Sequence, residues 1–128
     1  MKTLVKLGFA MLAGFALGAG VFHGLHAQDA APAYVISEID VLDEHGYANE
    51  FLPLAKKALA DSGQKRLALT GNTLAIAGDP PKSRIVLSIF SSMDKAQAAY
   101  KSPAYVEAEN IGEKYAKIRI FAFEATPP

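Results

Sequence analysis

Between Ala33 and Val41 the chain alternates, with Val35, Ser37, Ile39 and Val41 on one side and Tyr34, Ile36, Glu38 and Asp40 on the other. A period of two is that of a strand, here with one face more apolar than the other. The period then changes. Tyr47, Phe51, Leu54, Ala55, Ala58 and Leu59 recur at helical spacing. Asp43 suits the N-cap of that helix, and Glu44 in its first turn meets the positive end of the helix dipole. Pro53 interrupts the pattern. It lacks an N–H and its ring crowds the preceding turn, so a kink or a split near Leu52 is expected. Ser62-Gly63 ends the helix.

Arg66 to Leu69 and Thr73 to Ala77 read as short strand pieces around Gly71-Asn72. A hairpin of such pieces would be very short, so one bent strand with a bulge at Gly71 is the preferred reading. Gly78-Asp79-Pro80-Pro81 is a strong turn. Arg84 to Phe90 is a strand apolar on both faces, Ile85, Leu87 and Ile89 on one and Val86 and Phe90 on the other. Ser91 followed by Asp94 resembles a capping box, ahead of a helix through Ala96, Ala99 and Tyr100. Ser102 caps another helix, with Pro103 at its first position. That helix carries Tyr105, Val106, Glu109 and Ile111 and is expected to fray around Gly112. Lys117 to Glu124 is the last strand, with Ile118, Ile120 and Ala122 facing one way and Phe121 and Phe123 the other.

The order is β-α-β-β-α-α-β, an α+β arrangement of the ferredoxin-like βαββαβ type with an extra helix. Helices cover one face of such a four-stranded antiparallel sheet and leave the other open. A strand apolar on both faces cannot end its packing there, so the open face calls for a cover. A second copy of the chain is the natural one, two sheets closing face to face into a dimeric α+β barrel.

Composition bounds the rest. Lys2 and Lys6 precede an uncharged run from Leu7 to Phe22, and Ala27 stands before the polar Gln28-Asp29. This is the pattern of a secretory signal peptide over residues 1–27, followed by a linker over 28–32, a domain over 33–125 and a tail over 126–128. The alternative is an uncleaved helix that anchors the dimer in the inner membrane, since Leu7 to Ala27 can cross a bilayer of about 30 Å. With the leader removed, the chain is expected in the periplasm or secreted, without stable membrane association. Loss of Lys2 and Lys6 takes two of thirteen basic side chains and none of thirteen acids, so the remaining net charge is −2. That balance argues against nucleic acid, which calls for a basic stripe. The chain has no cysteine, which excludes disulfides, thiolate metal sites and a cysteine nucleophile.

Candidate chemistry is sparse. Glu38 and Asp40 share a strand face about 7 Å apart and could divide acid and base roles in a pocket, with Tyr100 as a further catalytic candidate. The plainer reading is the wet side of a strand. Tyr34, Tyr47, Tyr100 and Tyr105 could line a cleft between sheet and helices, and core packing explains them as well. Tyr34, Tyr47, Thr70 and Arg84 are the ligand-binding candidates; Arg84 and Arg119 are equally solvated strand-end charges. His45 is the one histidine outside residues 1–27. It lies too close to Asp43 and Glu44 in the chain for the three to converge on a metal. No metal spacing, phosphate loop or Ser-His-Asp order is present, and neither a metal nor a cofactor is expected.

The strand AYVISEIDV, the helix start DEHGYANEF, the turn GDPPKSRIVLSIF and above all SSMDKAQAAYKSPAY carry a family resemblance. From about Ala33 to Ala125 the sequence resembles the domain of unknown function 1330 family. The resemblance implies a ferredoxin-like subunit and a dimer, and implies no reaction. Members often have Arg-Gly-Gly at the bend of the second strand, a Glu before the next glycine and a tryptophan before the helix-ending tyrosine. This chain has Thr70-Gly71-Asn72, Ala77 and Ala99 instead. The expectation is therefore an exported dimer with no assigned reaction, one that could bind a small molecule in the cleft between sheet and helices or serve in stress tolerance. The alternative is a cofactor-free isomerase, lyase or monooxygenase-like enzyme acting on a small apolar or aromatic carbonyl compound.

Overall fold

The computed structural model describes residues 30–128, and the leader read at 1–27 lies outside them. Strand β1 runs over Ala33–Val41 as its alternation requires, with Ala33, Val35, Ser37 and Ile39 turned inward. Helix α1 follows as one run of three parts: an α-helical turn at Glu44–Gly46, a π-helical segment at Tyr47–Phe51 and an α-helix at Leu52–Asp61. Asp43 caps its start, its Oδ1 accepting from the Gly46 N–H at 3.1 Å. The split predicted at Pro53 takes the form of the π segment, where Leu52 N–H reaches back to the Tyr47 carbonyl. A widened turn gives the proline ring room that a regular turn would deny it. At the other end, Gly63 adopts φ +90°. Its N–H bonds the Ala60 carbonyl and that of Gln64 the Leu59 carbonyl, which is a Schellman closure that favours glycine at this position.

Strand β2 is Lys65–Leu69 and strand β3 is Arg84–Phe90; helix α2 is Met93–Lys101, helix α3 is Pro103–Gly112 and strand β4 is Ala116–Glu124. The sheet is antiparallel with order β2-β3-β1-β4, the ferredoxin-like arrangement. Ser102 both closes α2, its Oγ donating to the Ala99 carbonyl at 2.7 Å, and opens α3 by accepting from Tyr105 N–H at 3.3 Å.

The helices cover the face that carries Val35, Ile39, Val86, Phe90, Ile118 and Ile120. Ile85, Leu87 and Ile89 therefore take the open face, together with Tyr34, Ile36, Phe121 and Phe123. Phe121 and Phe123 remain 38% and 46% exposed. Among the described residues no helix is long and apolar enough to cross a membrane.

Three local expectations are corrected. Thr73–Ala77 is not a strand: the chain leaves the sheet after Leu69, apart from the Thr70 bonds to Ile85. Leu74 and Ile76 are 84% and 93% exposed, because β2 is an edge strand and no further strand of the described residues lies beyond it. The bulge sits at Leu67 rather than Gly71, since Arg66 pairs with Ser88 and Ala68 with Leu87. The cap of α2 is Ser92, not Ser91, its Oγ accepting from Lys95 N–H at 3.2 Å. Helix α3 ends at Gly112, where the sequence placed its end; the residue is buried, and a Cβ there would stand 2.5 Å from the Phe51 ring. Bare backbone at Gly112 is what lets α3 approach α1.

Candidate functional site

Two serines interrupt the apolar inner face of the sheet. Ser37 pairs with Val86 and Ser88 with Val35, so both point toward the helices from adjacent strands. Ser88 is 1% exposed and Ser37 9%. A buried hydroxyl needs a partner, or its desolvation costs about 1–3 kcal/mol. Gln64 supplies one. Placed just beyond the Gly63 closure of α1, it donates from Nε2 to Ser88 Oγ at 3.1 Å and to the Tyr100 hydroxyl at 3.2 Å. Burial raises the Tyr100 phenol above its ordinary pKa, and hydrogen bonds from Ser37, Ser88 and Gln64 offset only part of that rise. Tyr105 is pushed up further by burial and by the neighbouring Tyr100, Glu109 and Tyr47. Both phenols therefore stay protonated at neutral pH and act as hydrogen-bonding groups, not as bases.

The Tyr100 and Tyr105 rings meet edge to face, centroids 4.8 Å apart at 83°. They stand between two cavities. The first, about 50 Å³, lies between α1 and the sheet, with Ser37, Gln64, Tyr100 and Tyr105 among its walls and Lys56 and Arg66 also lining it. The rest of its lining is apolar, including Ile39, Phe51, Leu59 and Val86. The second, about 250 Å³, is bounded by α2, α3 and β4 and lined by Gln97, Lys101 and Glu109 with Val35, Ile120 and Ala122. Tyr100, Tyr105 and Ile120 belong to both.

The predicted residues divide between the two faces of the sheet. Tyr47, Tyr100 and Tyr105 do line the helix–sheet cleft. Tyr34 does not: it lies on the open face, stacked on Phe123 at 5.6 Å. Glu38 and Asp40 also occupy the open face, where Arg119 Nη1 donates to Glu38 at 3.1 Å and Lys82 approaches Asp40 at 3.8 Å. They are therefore separated from the cleft by the thickness of the sheet, because alternation sends even positions of β1 outward. Arg84 turns inward but is occupied, its guanidinium 4.8 Å over the Tyr47 ring and 3.7 Å from Glu44. Thr70 has a backbone-holding role, its Oγ1 accepting from Ile85 N–H at 2.8 Å. His45 is exposed in the first turn of α1. Among the described residues no three His, Cys, Asp or Glu side chains gather as a metal site.

Ser37, Gln64, Arg66 and Ser88 escaped sequence reasoning. The available signal was a serine at the centre of an otherwise apolar face in each of two strands, which is costly unless something bonds to it.

No curated protein matches the chain in sequence. Among solved structures, a protein of unknown function from Rhodopseudomonas palustris superposes with a TM-score of 0.64 at 14% identity, covering 85% of this chain and 94% of that one. SnoaB, a cofactor-independent oxygenase from Streptomyces nogalater, does so with a TM-score of 0.53 at 12% identity over 77% of this chain and 97% of its own. An ethyl tert-butyl ether d (ethd) family protein from Bacillus halodurans reaches 0.54 at 14% identity, covering 75% and 99%. At these identities the likeness is one of fold. The sequence itself matches Domain of unknown function (DUF1330) over residues 32–126, a span that takes in the whole sheet, all three helices and the polar cluster between them. The chain is a member of the DUF1330 family.

Proposed function

We propose that this protein is an exported homodimer in which each subunit holds a small molecule in the cleft between α1 and the sheet. The observation that carries the reading is the hydrogen-bonded group of Gln64, Ser88 and Tyr100, from which Gln64 and Tyr100 open with Ser37 onto a cavity of largely apolar walls. Few, convergent polar groups in an apolar concavity are what orient a ligand with one polar function, such as a hydroxyl or carbonyl. Dimerisation is supported by the open sheet face, whose contiguous Ile, Leu and Phe side chains would otherwise meet water. Export is supported by the charge and hydropathy pattern of residues 1–27.

In the cleft between α1 and the sheet, binding is preferred to catalysis on the placement of the acids, since no carboxylate of the described residues lines it. A side chain that acts as general base must lie within hydrogen-bond reach of its substrate. Glu38 and Asp40 instead lie across the sheet in ion pairs with Arg119 and Lys82. The oxygenase SnoaB shares the fold, and a fold does not carry a reaction with it.

The test is amide NMR of the purified protein against alcohols, ketones and carboxylates of three to five carbons. Saturable shifts centred on Ser37, Gln64, Ser88 and Tyr100, absent in Gln64→Leu/Tyr100→Phe, are the expected result. A panel that leaves these amides unmoved would show the polar cluster to be core packing alone.

A further inference from the structure

The first cavity has a charge bias that the binding reading does not use. Among the described residues two cations line it, Lys56 from α1 and Arg66 from β2, and no carboxylate does. The four ion pairs among the described residues join Lys57 to Asp61, Lys82 to Asp40, Arg84 to Glu44 and Arg119 to Glu38, leaving both cavity cations without an acid. The bulge fixes the arrangement. Arg66 pairs with Ser88 on the inner face, while the extra residue Leu67 is taken up before Ala68 pairs with Leu87. The guanidinium thus belongs to the same face as the Ser88 hydroxyl, at a strand edge where water can reach it. The second cavity differs, since Glu109 lines it beside Lys101.

Resting on the binding reading above, we infer that the ligand is a short-chain carboxylate. Its acid group sits at the mouth between Arg66 and Lys56, and its apolar end points inward. A guanidinium matches a carboxylate with two parallel N–H donors, and it holds its charge at any working pH. Size sets the chain length. A cavity of about 50 Å³ holds about three to five water-sized groups. That is the length of the carbon chain behind the carboxyl of an acid such as butyric acid. The hydroxyls of Tyr100 and Ser37, which line the cavity, would favour an acid with a second polar function.

Butyrate and its neutral isostere butyramide separate this inference from the reading beneath it. Titrated into the purified protein and followed by amide NMR, butyrate should bind at least about tenfold more tightly than butyramide. Arg66→Gln should bring the two within about twofold of each other, and Arg66→Lys should restore part of the preference. Arg66 is exposed on an edge strand, and an unchanged amide spectrum will confirm that each variant is folded. Equal binding of acid and amide to the unmodified protein would overturn the carboxylate assignment and leave the ligand cleft standing. A preference that survives Arg66→Gln/Lys56→Gln would likewise overturn it. Failure of both compounds to shift the cavity amides would remove the assignment and weigh against the cleft as a binding site.

Discussion

Gln64 donates to the Tyr100 hydroxyl at 3.2 Å, tying the residue that follows the α1 closure to the last turn of α2 across the cleft. The same amide nitrogen reaches Ser88 at 3.1 Å, so one side chain joins a helix end, a strand and a second helix. This is a costly contact to break and a cheap one to replace wholesale. Removing one partner leaves buried polar atoms unpaired, whereas exchanging all of them for apolar groups does not.

Gln64→Leu alone should therefore lower stability by about 1–3 kcal/mol, read by urea unfolding. The combined Gln64→Leu/Ser88→Ala/Tyr100→Phe variant should lose less than the sum of its single changes. Additive losses in the combined variant would mean that the cluster does not act as a unit.

Gly112 marks the closest approach of α3 to α1. A methyl group at this position would meet the Phe51 ring at 2.5 Å. Gly112→Ala should cost about 1–3 kcal/mol by overpacking, despite the better helix propensity of alanine. Phe51→Leu in the same chain should recover part of the loss. A double-mutant cycle with no coupling between the two positions would refute this packing account.

Leu87 lies directly opposite Ile36 at the centre of the open face. Leu87→Lys should leave the secondary structure unchanged in circular dichroism, because the residue makes no part of the helix-covered core. The mass measured by light scattering should fall from that of a dimer to that of a monomer. A variant that stays dimeric would place the interface elsewhere on the surface.

The buried phenols set an alkaline limit. Tyr100 and Tyr105 have folded-state pKa values raised chiefly by burial, above the ordinary value near 10. Their protonated forms are favoured by folding, so this contribution is complete below about pH 10 and is lost as the pH rises beyond it, when the unfolded chain alone ionises readily. Stability should fall steeply above that pH, and phenolate absorbance from these two residues should appear together with unfolding. Reversible ionisation of both in the folded protein would contradict their burial. Tyr115 is also raised, by its hydrogen bond to Glu50 at 2.5 Å, but that contact is on the surface and contributes little.

Much of the architecture was legible in local patterns. The alternation of β1 assigned Val35 and Ile39 to one face and Tyr34 and Ile36 to the other, as observed. The caps at Asp43 and Ser102 were readable because a short polar side chain beside an apolar helical run has a definite job at a helix end. Thr73 to Ala77 misled because its alternation is real and its partner is absent, and a strand exists only with a neighbour to bond. Glu38 and Asp40 misled in the opposite sense. They were placed correctly on a common face, but that face is opposite the cleft.

The sequence by itself determined the order of elements and the division of β1, β3 and β4 into two faces each, and it put Tyr47, Tyr100 and Tyr105 in the helix–sheet layer while wrongly adding Tyr34. Periodicity and capping depend on neighbours a few positions away, so one chain suffices to read them. Only the tertiary structure decided that the helices cover Val86 and Phe90 rather than Ile85 and Leu87. It also set Gln64 against Ser88 and Tyr100, which lie 24 and 36 positions away, and placed Arg66 beside the cavity. Those outcomes depend on the register between strands, including one bulge at Leu67, and on where α1 stops. A single-residue shift in either would move the polar groups off the cleft without altering any local pattern.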